Sequence, residues 1–223
     1  MTHRKSAFTI TELLVVIVII AALMLIALPT FQGLGRGSKL KTAAFQLSSK
    51  MAMARQTAVS DRMFVAILVP DDIVANAAAQ EAKKAFQSFA PCQYERVNNN
   101  NVFKQYLGEW EMLPPGVVFD DEVDESLTVS NVFPLAVLDG RLLIRNAKFP
   151  SSAGADVASI IGMGFRPDGA TSMGSTDFAI YLSEGNVPIV DGKALPPVVN
   201  PNATTMGLYV NPLTARVRSR VLE

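Results

Sequence analysis

The chain has 223 residues, 49% hydrophobic and 18% charged, with 20 Lys plus Arg balanced by 20 Asp plus Glu. That composition excludes wholesale disorder, leaves room for one large domain or two small ones, and supplies no global field to recruit nucleic acid. A lone cysteine, Cys92, excludes an internal disulfide, and the lone histidine, His3, leaves the body without the usual catalytic base or metal ligand.

The first element is apolar. Leu13 to Leu28 is a run of 16 apolar residues, and a weakly polar start from Phe8 extends it to 21 residues with Glu12 as the sole charge. At about 1.5 Å per residue such a helix reaches roughly 30 Å, the thickness of bilayer hydrocarbon. A buried core helix is disfavoured because no face carries polar residues. A secretory signal peptide is the stronger rival, since His3, Arg4 and Lys5 precede the run, but no small-x-small site follows it. A small residue, Ala7, instead directly precedes Phe8. The basic residues Arg36, Lys39 and Lys41 beyond the run argue, on their count alone, for a cytoplasmic C-terminal part.

"AFTITELLVVIVIIAALMLIALP" resembles the N-terminal methylation motif of type IV pilins and the pseudopilins of type II secretion. In that family a prepilin peptidase cuts before an aromatic residue. With Phe8 as the first mature residue, Glu12 is the fifth and Pro29 the twenty-second, positions where many members carry the same residue types. The departures are Ala7, where the family has Gly, and Thr11 at a usually apolar position. The resemblance implies cleavage between Ala7 and Phe8, N-methylation of Phe8, and assembly through Glu12 and Pro29. Glu12 would meet the Phe8 amine of a neighbouring subunit. Electrostatics concurs: the new amine is cationic at neutral pH, and a carboxylate near a helix N-terminus complements the macrodipole. The family orientation, N-terminus in the cytoplasm and bulk outside, outweighs the basic-residue count.

Next, "TFQGLGRGSKLK" carries Gly33, Gly35 and Gly37 within five residues, a weak point at about 1 kcal/mol per interior glycine. Leu40, Ala44, Leu47, Met51, Ala54 and Ala58 then recur at steps of three and four, the mark of an amphipathic helix. Met51 and Met53 read as core filler. After Asp61 come strand-like runs: "RMFVAILVP", "AFQSFAPCQYE", "EMLPPGVVFDD", "IIGMGFRPDGATSM", "STDFAIYLSEG", "TMGLYVNP" and "ARVRSRV". Residues 71–84 read as a short alanine-rich helix, 132–158 as mixed strand and loop, and "RVNNNNVF" as a polar loop. "LKTAAFQLSSKMAMARQTAVSDRMFVAI", "FRPDGATS" and "LYVNPLTARVRS" resemble segments of minor pseudopilins of the H/FimT type. The pilin-like D protein of the Verru_Chthon cassette is the nearer likeness, sharing "AFQSF", "GEWEMLPPGVVF" and "FRPDG". Ala215 stands where that last turn usually has Gly.

Candidate chemistry is sparse. Asp120, Glu122 and Asp124 alternate as calcium ligands would, but Glu125 occupies the place of the turn glycine, so a solvated acidic loop is favoured over a metal site. "GLGRG" lacks dinucleotide-fingerprint spacing. Phe103, Lys104 and Trp110 could form a stacking platform for a nucleic acid, yet a core or edge-strand role suits zero net charge better. Cys92 reads as a small buried hydrophobe.

The expected architecture is α+β and pilin-like: a long N-terminal helix, transmembrane in its first half and amphipathic in its second, packed on an antiparallel β-sheet. Its parts are a leader (1–7), a membrane helix with a glycine hinge (8–36), the amphipathic half (37–60) and an extracytoplasmic sheet domain (61–223). Losing Arg4 and Lys5 with the leader leaves 18 Lys plus Arg against 20 Asp plus Glu. The expected role is a non-enzymatic subunit of a type IV pilus or secretion-like filament, without cofactor or metal, in the inner membrane until assembled. Its partners are prepilin peptidase/N-methyltransferase, the membrane and other pilin subunits. A receptor pilin that binds DNA or a surface is one alternative, which a basic exposed stripe would support. A membrane-anchored domain that does not polymerise is another.

Overall fold

A computed structural model describes residues 10–34, 36–77, 81–120, 142–151, 154–172, 178–200 and 204–222. The leader, Ala7, Phe8, Gly35, Glu122 and Asp124 lie outside them. The chain divides into two compact units, Met1–Ser38 and Lys39–Glu223. Helix α1 spans Ile10–Leu34 and α2 spans Arg36–Ser60.

The second unit is built on α2. Its whole predicted stripe, Leu40, Ala44, Leu47, Met51, Ala54 and Ala58, is buried in one apolar cluster. Each large member contributes about 1.5–3 kcal/mol of burial. Met53 is a correction: it is 56% exposed. Two residues along a helix is about 200° around it, so Met51 and Met53 cannot share a face.

Strands follow wherever β-branched and aromatic runs meet turn residues. They are β1 (Phe64–Val69), β2 (Ser88–Val97), β3 (Asn100–Tyr106), β4 (Glu111–Met112), β5 (Val117–Asp120), β6 (Leu142–Phe149) and β7 (Ala155–Phe165). β8 (Phe178–Asn186), β9 (Ile189–Val190), β10 (Lys193–Ala194), β11 (Val198–Val199), β12 (Thr205–Val210) and β13 (Val217–Leu222) complete the chain. A short helix, α3 (Asp72–Ala77), falls in the alanine-rich segment, where the Asp71 carboxylate accepts from the Val74 amide at 2.8 Å. "RVNNNNVF" is a hairpin and not a loop. Asn98 and Asn99 take positive φ, 49° and 64°, while Asn100 and Asn101 already pair with Val97 and Arg96.

The sheet departs from expectation. β1 pairs with both β2 and β7, β7 with β6, β6 with β3, and β3 with β2, so five strands close into a ring. The β3–β6 contact is parallel, at Asn101 opposite Ile144 and Val102 opposite Arg145. A second sheet runs β11-β8-β12-β13, with β5 also on β8. The body is therefore mostly β, and an N-terminal helix with a β-rich body replaces the expected pilin-like α+β arrangement on one antiparallel sheet. Alternation explains the two cores: Val65, Ile67 and Val69 face the α2 cluster, while Ala66 and Leu68 face the ring interior.

That interior mixes small and large side chains, as a narrow barrel requires. Tyr94, Ile144 and Phe149 are fully or almost fully buried beside Ala66, Cys92 and Ala147. Gly164 is needed for close approach, because a Cβ there would sit 2.5 Å from Leu142 Cδ2 and 2.9 Å from Tyr94 Oη.

Candidate functional site

Two regions carry features that packing of the body does not use. The first is α1. Glu12 lies in its first turn, where unsatisfied amides and the macrodipole favour an anion. From Ile10 to Met24 the large apolar side chains are all exposed, between 84% at Ile10 and 45% at Val16. A helix apolar on every side needs a non-aqueous surrounding or other helices around it. Pro29 lies inside α1, where it has no amide to donate to the carbonyl of Leu25. Among the described residues no helix is long and apolar enough to cross a membrane.

The second region is the outer strand of the second sheet, missed as a site in the sequence. In β13 and the turn before it, Arg216, Arg218 and Arg220 alternate and are exposed. Their signal, an arginine at every second position of "ARVRSRV", was visible, but not that this strand lies at an edge. Arg218 stands opposite Tyr209 and Arg220 opposite Gly207. A cleft of about 330 Å³ is lined by Tyr209, Asn211, Thr214, Arg216 and Arg218. The turn is held by Asn211, whose Oδ1 accepts from Thr214 N and Thr214 Oγ1, each at 2.9 Å. Ala215 takes φ 50° there, a left-handed conformation that glycine adopts without strain.

The remaining candidates are structural. Asp120 is buried at the end of β5, where Ser183 Oγ donates to its carboxylate, so it is not part of a solvated loop. Among the described residues no cluster of His, Cys, Asp or Glu could hold a metal. Phe103, Tyr106, Trp110 and Phe149 form a chain of ring contacts with centroids 4.9, 5.9 and 5.1 Å apart. Lys104 pairs with Glu95. Trp110 and Phe103 thus belong to packing. Burial pushes the Cys92 thiol far above its ordinary range, which leaves it unreactive. Burial likewise raises Tyr106, whose hydroxyl donates to the Lys148 carbonyl.

The family model of the prokaryotic N-terminal methylation motif matches residues 2–28. No curated protein and no solved structure matches the chain significantly. The matched segment contains Ala7, Phe8 and Glu12 and all the exposed apolar side chains described for α1, and it supports a type IV pilin-like class.

Proposed function

We propose that the chain is a structural subunit, a minor pilin or pseudopilin, of a type IV pilus or type II secretion-like filament. Prepilin peptidase cuts after Ala7 and Phe8 is N-methylated. The apolar helix then holds the subunit in the inner membrane with the β-rich body outside, until it joins the filament. Glu12 meets the cationic Phe8 amine of a neighbouring subunit, fixing the axial stagger of adjacent helices. The subunit catalyses no reaction, and its nearer relatives are the H/FimT-type minor pseudopilins and the Verru_Chthon D protein. One observation carries this reading: the exposed apolar side chains of α1 from Ile10 to Met24 all fall within a matched methylation motif. The test is the mass of the mature N-terminal peptide. A methylated Phe8 supports the reading; an intact Met1 or a cut near Ala27 overturns it.

The row of Arg216, Arg218 and Arg220 favours a second reading, in which the outward domain is a receptor for an anionic ligand, DNA or a surface among them.

A further inference from the structure

We propose that the open edge of β13 docks an extended polypeptide strand of a partner protein, one with carboxylates at alternate positions and apolar residues between them. Three independent features of β13 converge on that ligand.

The first is main-chain hydrogen bonding. β13 ends its sheet and, among the described strands, pairs with β12 alone. The amide of Asn211 donates to the carbonyl of Arg216 at 3.0 Å, so the ladder bonds to β12 fall on residues 216, 218 and 220. By the antiparallel alternation, the N–H and C=O groups of Val217, Ser219 and Val221 point away from β12, ready for another strand.

The second is a groove of mixed but mainly apolar lining. Val217, Ser219 and Val221 line about 350 Å³ with Ala44 and Phe45 of α2 and Leu208 of β12, and Lys41, Ser48 and Arg220 also border it. Phe45 is 77% exposed beside it. A strand added to β13 would lay every second side chain into this groove.

The third is charge. Arg216, Arg218 and Arg220 repeat at about 6.8 Å on the opposite face, the same spacing as alternate carboxylates on a neighbouring strand. None of the three forms an ion pair within the described residues. Asp120 does share a cross-strand row with Tyr181, Gly207 and Arg220. It stands three strand spacings, about 14 Å, from Arg220, too far to neutralise it.

Other occupants use less of the site. DNA phosphates would meet the arginines but leave the edge amides and the groove unfilled, and the balanced net charge adds no long-range attraction. A second copy pairing through its own β13 would bring two arginine rows together, which like-charge repulsion opposes.

The test uses the full chain in detergent micelles and a fluorescein-labelled peptide of alternating Glu and Val, with binding followed by anisotropy. The expected result is saturable binding that weakens roughly tenfold for a peptide of the same composition with its Glu residues clustered. Ser219→Pro removes an outward amide and spares the β12 ladder, and it should weaken binding by about the same factor, as should Phe45→Asp. The double change Arg218→Glu and Arg220→Glu should transfer preference to a Lys-Val peptide, a readout that stands even if Ser219→Pro fails to fold. Equal binding of the clustered peptide, no effect of a folded Ser219→Pro, no preference change on charge reversal, tighter binding of a single-stranded oligonucleotide, or no binding at all overturns the proposal.

Discussion

Tyr94 and Ser172 join hydroxyls at 2.7 Å beside a glycine that has no room for a side chain. Tyr94 comes from β2 inside the ring and Ser172 follows β7, so the bond ties one ring strand to the chain leaving another. A methyl on Gly164 would fall 2.9 Å from both Tyr94 Oη and Ser172 Cβ. Gly164→Ala should therefore lower stability by about 1–3 kcal/mol, the cost of overpacking a tight core. Urea unfolding gives the number; an unchanged midpoint would remove the argument for a crowded interior.

Alkaline pH should weaken the fold. Burial raises Cys92 from 9.0 and Tyr94 and Tyr106 from 10.0, so the folded state keeps protons that the unfolded chain has released. The contribution is complete below those unfolded values and is lost as pH rises through them toward the folded ones. Each group adds a slope of about 1.4 kcal/mol per pH unit. Denaturation midpoints at several pH values should be flat near neutrality and fall above about pH 9. Cys92→Ala should remove the earliest part of the decline and leave the part due to the tyrosines.

Two residues of α2 should respond oppositely to truncation. Leu47 is fully buried, and Leu47→Ala should cost about 2–5 kcal/mol. Met53 is largely exposed, and Met53→Ala should change stability by no more than about 0.5 kcal/mol. Equal losses at both sites would mean that the helix packs on a different face.

On the proposed pairing with the Phe8 amine, Glu12→Ala should leave membrane insertion intact, because the apolar helix is unchanged, and should impair filament assembly. Fractionation reports insertion and sheared-filament yield reports assembly. Normal filament yield would end the pairing argument and leave the anchor standing.

Local features of this chain were legible in its sequence. The α2 stripe followed from steps of three and four, and β1, β8 and β12 from short apolar runs between turn residues. Met53 misled because methionine in a helix suggests core, although its angular position put it outside. Asn98 and Asn99 misled in another way: four asparagines read as a loop, when two at positive φ make the tight turn that joins β2 to β3. Ring closure was not legible, since it depends on β1 accepting two neighbours and on a parallel match between β3 and β6, both far apart in sequence. The arginine row was visible as letters, but only strand order shows that it borders open solvent.

The closed ring also decides how the body would bear mechanical load. Every strand of the ring shares hydrogen bonds with two neighbours, so a pull along one strand must shear two ladders together. β13 has one ladder, six residue pairs long, and can peel from β12 one bond at a time. Under tension the body should yield first at β13, so the surface proposed to dock a partner strand is also a part that lets go easily.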